Sequence, residues 1–206
     1  HVTDRRQRQM CIRDRGHSYF NCDSSAAWTF GSGWMLSTDT SISQGRSCHA
    51  GNGEASNYNN NVVASLTTPV MDMSDALPNP SRTNGVSFFY TGATAVNDKL
   101  TIFGKNRFGA WSEVGSISGV IDNVFIDGAN WQTFSVNNKG HASPLIPVAD
   151  DLFHAASQFK FEFTSDASGT DIGFFIDDIV FVYEQKVRPN EFNVSAPVSY
   201  THLTLP

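Results

Sequence analysis

The chain has 206 residues, with 14 Lys and Arg against 20 Asp and Glu, a formal net charge of −6. An acidic chain without a basic cluster is not built for a nucleic-acid backbone, which demands Lys and Arg. No apolar run reaches the roughly 18 residues that span a bilayer as a helix, and the wealth of Phe, Gly, Ser, Thr and Asn with few Lys is a secreted all-β composition.

Both ends read differently from the rest. His1–Arg15, HVTDRRQRQMCIRDR, and Pro197–Pro206, PVSYTHLTLP, resemble translated sequencing-adapter read-through, familiar from proteins of metagenomic assemblies. They are set aside from the fold reading. On this reading the chain is a fragment, residues 16–185 form one domain, and 186–196 are a linker or the start of a following module. With Cys11 in the discarded end, Cys22 and Cys48 remain. In an extracellular protein they could pair; the alternative is two free thiols.

In chain order, 16–23 reads as a short lead-in strand. Trp28–Leu36 holds two aromatic clusters split by Gly31-Ser32-Gly33, a glycine turn. Residues 37–61 are rich in Ser, Gly and Asn and read as a long surface loop with one or two short strands. Val62–Val70 is a strand that Pro69 ends, because proline cannot donate to a central ladder. Further strands are expected over 85–90, 98–104, 111–117, 124–125 and 131–136, with a brief helical turn near Phe153. Gln158–Thr164 alternates most cleanly, with Phe159, Phe161 and Phe163 inward. Gly173–Tyr183, GFFIDDIVFVY, is the most apolar run and reads as one long strand inside a sandwich. Strict alternation points its two central acids, Asp177 and Asp178, to opposite faces, so at least one meets a packed layer. Many short strands without a helical period predict an all-β, two-layer antiparallel β-sandwich of jelly-roll type.

The landmarks also occur in a telling order: Gly33-Trp34, Ser47–Gly53, Tyr58, Leu66–Pro69 with Met71-Asp72-Met73-Ser74, Asp98-Lys99-Leu100, Gly109–Trp111, Trp131, Phe161-Glu162-Phe163 and Gly173–Ile179. This series resembles the MAM-like jelly-roll modules of extracellular proteins. Nearest are their prokaryotic choice-of-anchor or immune-inhibitor-like versions. The resemblance covers roughly residues 28–183 and implies a non-catalytic module for adhesion, glycan contact or the spacing of neighbouring domains.

Three kinds of site were weighed. For a metal, Asp166-Ala-Ser-Gly-Thr-Asp171 has oxygen ligands around a glycine like a short calcium loop, against the plainer reading of a polar hairpin turn. A second arrangement joins Asp177 or Asp178 to Asp23 or Asp98. Jelly rolls of the resembled kind often tie first and last strands with a structural cation, and hard oxygen ligands favour Ca²⁺. The alternative is a carboxylate that accepts backbone N–H bonds. For a glycan, exposed rings stack on sugar faces; the candidates are Tyr58, Phe108, Trp111 and Trp131, with the loop residues Tyr58 and Phe108 ahead of the tryptophans, which the resemblance makes packing residues. For catalysis there is no His-Glu-x-x-His, Gly-x-Ser-x-Gly or phosphate-cradling loop. Asp150-Asp151 read as a solvated turn. The expectation is therefore an extracellular or cell-surface binding or architectural module, not an enzyme, with a glycan or a cell-surface protein as partner. The second reading is an accessory domain of a secreted peptidase or glycoside hydrolase.

Overall fold

The computed structural model describes residues 15–20, 22, 28–41, 45–53, 56–76, 84–118, 132–135 and 150–184. Eleven strands are found among them: β1 Arg15–Phe20, β2 Thr29–Phe30, β3 Trp34–Ser37, β4 Ser47–Ala50, β5 Val63–Thr67, β6 Gly85–Ala93, β7 Lys99–Lys105, β8 Trp111–Ser118, β9 Gln132–Ser135, β10 Phe159–Thr164 and β11 Gly173–Glu184. A 3-10 turn at Asp150–Leu152 precedes β10. No helix among the described residues is long and apolar enough to cross a membrane.

The strands form two antiparallel sheets. One runs β3-β4-β11-β6-β9, with β1 also paired to β11; the other runs β2-β5-β10-β7-β8. From β4 onward the chain swaps layers at every connection but the β7–β8 hairpin. The two four-stranded halves, β4-β11-β6-β9 and β5-β10-β7-β8, have the strand order of a jelly roll. The glycine turn after β2 already makes one crossing, because β2 and β3 lie in different sheets. Gly33 there has φ 85°, which only glycine adopts freely.

The two middle strands fill the interior. β10 offers Phe159, Phe161 and Phe163 inward, as its alternation predicts, and β11 answers with Phe174, Ile176, Ile179 and Phe181, all fully buried. Because β11 returns antiparallel over β10 in the other layer, Phe159 meets Phe181 at 4.5 Å between ring centroids and Phe163 meets Phe174 at 6.4 Å. Each such pair adds about 0.5–1.5 kcal/mol beyond the burial itself. Phe88 of β6 closes edge-on over Phe161 at 5.2 Å.

Strict alternation does not hold along β11. Phe174 and Ile176 face the core, yet so do Ile179, Phe181 and Tyr183. The phase changes because β11 has a bulge: its pairing with β6 jumps from Asp177↔Phe89 to Val180↔Ser87, three steps against two. Asp178 absorbs the extra residue at φ 50°, a left-handed conformation that Asp tolerates better than most side chains. Without it Asp178 would point into the phenylalanines and Ile179 away from them. The two acids are therefore not an alternating pair. Asp177 is fully buried, Asp178 is partly exposed, and Asp177 Oδ1 accepts the Asp178 N–H at 2.8 Å.

β4 corrects the reading of 37–61 as surface. All four of its residues are buried, and it pairs with β11 on one side and β3 on the other. Its small side chains fit between two sheet neighbours. Cys48 reaches Cys22 with an S–S distance of 2.02 Å, and His49 stacks on Phe175, centroids 3.9 Å apart. On the chain-entropy estimate, a cross-link over a 26-residue separation restricts the unfolded chain by about 3.5 kcal/mol.

Candidate binding face

Of the acids proposed as metal ligands, Asp98, Asp166, Asp171 and Asp177 accept hydrogen bonds from protein donors. Asp98, fully buried, accepts the Tyr58 hydroxyl on Oδ2 at 2.5 Å and the Asp166 N–H on Oδ1 at 2.7 Å. Asp166 Oδ1 takes the N–H and hydroxyl of Ser168, and Oδ2 takes Asn97 Nδ2 at 3.0 Å. These donors, the Ser168 N–H first, hold the Asp166 carboxyl below its ordinary pKa of 3.8. Asp171 Oδ1 accepts the Ile172 N–H. Among the described residues no three His, Cys, Asp or Glu side chains converge as a cation site; Asp23 lies outside those residues. Asp98 and Asp166 staple the β6–β7 connection to the β10–β11 connection.

Tyr58 belongs to that staple and not to a ligand surface. It is 2% exposed, its ring packs edge-on against Phe163 at 4.8 Å, and its oxygen also accepts the Ala95 N–H at 2.7 Å. Burial, with the Asp98 hydrogen bond second, pushes the phenol's pKa well up. Trp131 lies outside the described residues.

Phe108 and Trp111 are on the surface. Phe108 tops the β7–β8 turn, 85% exposed. Asn106 Oδ1 accepts the N–H groups of Phe108 and Ala110 and so sets the turn, with Gly109 at φ 89°. Trp111 opens β8 and is 37% exposed. Its orientation depends on a second bulge. Ile117 and Gly115 oppose Leu100 and Ile102 on the inner face, but the register then steps from Ile102↔Gly115 to Phe103↔Glu113, which leaves Val114 as the extra residue. With perfect alternation Trp111 would share the inner face of Ile117. The bulge re-aims it outward, a common use of bulges beside binding surfaces.

Trp111 thus joins the outward face of the five-stranded sheet. In register there, Lys105 opposes Trp111, Lys160 opposes Phe103, and Phe103 opposes Glu113. Lys160 Nζ sits 4.5 Å from the Phe103 ring centroid and 5.4 Å from that of Trp111; Lys105 Nζ is 5.8 Å from Trp111. Both lie within the range of cation–π attraction. Lys160 also pairs with Glu162 at 2.7 Å, two residues along and on the same face, and Lys105 donates to Gln158 Oε1 at 3.2 Å. Thr29, Ser65, Thr67 and Ser116 continue the face as short polar side chains. The result is a patch with an aromatic plate and two lysines, two carboxylates and an amide beside it. Of this group the sequence singled out only Trp111. Lys160 and Glu162 were readable as outward once Phe159, Phe161 and Phe163 were placed inward.

No protein-family model matches the chain, and no curated protein matches it in sequence. Solved structures of similar arrangement include a family 29 carbohydrate-binding module, at 13% identity and a TM-score of 0.45 over 87% of this chain and 98% of that one. The C-terminal family 6 module of a marine laminarinase from Zobellia galactanivorans aligns at 13% identity and a TM-score of 0.43, over 82% and 100%. The family 11 module of a cellulosomal cellulase of Clostridium thermocellum aligns at 15% identity and a TM-score of 0.41, over 83% and 96%.

Proposed function

We propose that this chain is a non-catalytic, glycan-contacting β-sandwich module that works outside the cell, with the outward face of the five-stranded sheet as its contact surface. The observation that carries the reading is Trp111: a large indole turned to solvent by a bulge, on the outward face of a sheet, beside groups able to hydrogen-bond hydroxyls. The C–H face of a pyranose stacks on such a ring, and Glu162, Gln158 and the lysines supply acceptors and donors around it. Nothing in this arrangement needs a nucleophile or a general base. The Cys22–Cys48 link supports an oxidising compartment, and the MAM-like order of landmarks points to the same kind of extracellular role. A glycan array probed with the protein tests the reading. Binding is expected, and Trp111→Ala should weaken it about tenfold or more, the equivalent of about 1.4 kcal/mol, with the thermal midpoint little changed. Silence across the array, or binding indifferent to Trp111→Ala, refutes it.

A further inference from the structure

Resting on that reading, we propose that the face selects an anionic saccharide, one bearing uronate carboxylates or sulfate esters, which Lys105 and Lys160 hold against Trp111.

The charge distribution carries the argument. The chain has five lysines and a net charge of −6. Three of the five, Lys99, Lys105 and Lys160, stand on the outward side of β7 and β10; among the described residues the acids of that face are Glu113 of β8 and Glu162 of β10. Three of the few lysines of an acidic chain thus share one face.

The local chemistry agrees. Two ammonium groups approach one indole, at 5.4 and 5.8 Å from its centroid. Among the described residues Lys160 has a carboxylate partner, Glu162, whereas the hydrogen bond Lys105 makes is to a neutral amide, Gln158. Two like charges beside one ring repel each other, and an anion between them turns that repulsion into attraction. Lysine is suited to the task, because a flexible stem carries three rotatable donors and can follow a sulfate or a carboxylate on a stacked ring. A neutral sugar would use the same plate but leave Lys105 without a counter-charge. In this scheme Glu162 positions Lys160 and disfavours anions that approach from its own side.

The test uses matched polymers that share a backbone and differ in charge: polygalacturonate against its highly methyl-esterified form, and a sulfated galactan against the same galactan after desulfation, with neutral glucans and mannans beside them. The expected result is binding to one anionic polymer about tenfold or more tighter than to its neutral match. That binding should weaken as salt rises from roughly 50 to 500 mM, because exposed charge pairs are screened. Lys105→Gln with Lys160→Gln should erase the preference at an unchanged thermal midpoint, while Trp111→Ala weakens charged and neutral ligands alike. Equal binding to both members of each pair, or binding to neutral polymers alone that ignores salt, overturns the anionic selection and leaves the glycan reading standing. Silence toward every polymer overturns both.

Discussion

Removing the Tyr58 hydroxyl while keeping its ring isolates the polar staple at the loop end of the sandwich. In Tyr58→Phe the edge-on contact with Phe163 persists, but two hydrogen bonds vanish. Asp98, fully buried, loses a donor on Oδ2, and the Ala95 N–H loses its acceptor. A hydrogen bond to a charged group contributes about 1.5–3 kcal/mol and one between neutral groups about 1 kcal/mol. The variant should therefore be destabilised by about 3 kcal/mol. For a chain of this size each kcal/mol lowers the thermal midpoint by about 2–4 °C, so a drop of about 6–12 °C is expected by calorimetry or circular dichroism. Asp98→Asn should be destabilising as well, and the double variant less so than the sum, because the two groups are in contact. The phenol also has an alkaline signature. Its folded pKa stands above the ordinary 10, so its contribution is intact below pH 10 and is lost as pH rises further, when the unfolded chain ionises first. Tyr58→Phe should flatten that part of the stability curve. A loss under about 0.5 kcal/mol with an unchanged alkaline limb would refute the claim that this hydroxyl is sequestered from water.

His49 has the mirror-image signature. Burial lowers its pKa below 6.5, outweighing the Nε2–H bond to the Ile172 carbonyl, which acts the other way; Nδ1 has no partner among the described residues to receive a second proton. Its contribution is present above pH 6.5 and lost as pH falls toward the folded value, by up to about 1.4 kcal/mol per pH unit; His49→Gln should remove that slope in denaturant titrations between pH 7 and roughly 5. Gly173→Ala should prevent correct pairing of β11, because a Cβ at this φ of 92° would overlap the Ala50 carbonyl oxygen; soluble yield and near-ultraviolet circular dichroism report it. Millimolar calcium should leave the thermal midpoint where it is, because Asp98 and Asp166 already spend their oxygens on protein donors. A clear upward shift would show that a structural cation binds.

The layer structure was legible because β10 and β11 advertise themselves: three alternating phenylalanines, then a long β-branched run. The departures have physical causes that local pattern does not encode. β4 hides beside β11 although Ser47, Cys48 and His49 look like loop residues, since what admits them is small size, a sulfur partner and a stacked ring supplied from elsewhere in the chain. Tyr58 sits in an aperiodic stretch, so only the arrival of Asp98 from the β6–β7 connection reveals that it is buried. The two bulges matter most. A single extra residue reverses every side chain beyond it, and neither the Asp177-Asp178 pair nor Val114 announces one. The first saves the core from a carboxylate, and the second turns Trp111 outward.

That second reversal leads to the decisive measurement. Backbone and indole resonances of the labelled protein are followed while a tetrasaccharide of the best-binding array polymer is added. The largest shifts should fall on the Trp111 indole N–H and on Phe103, Lys105, Lys160 and Glu162, with β4 and the six-stranded sheet quiet. Shifts gathered on the six-stranded sheet, or at the loop end around Tyr58 and Asp166, would place the contact elsewhere and contradict the account.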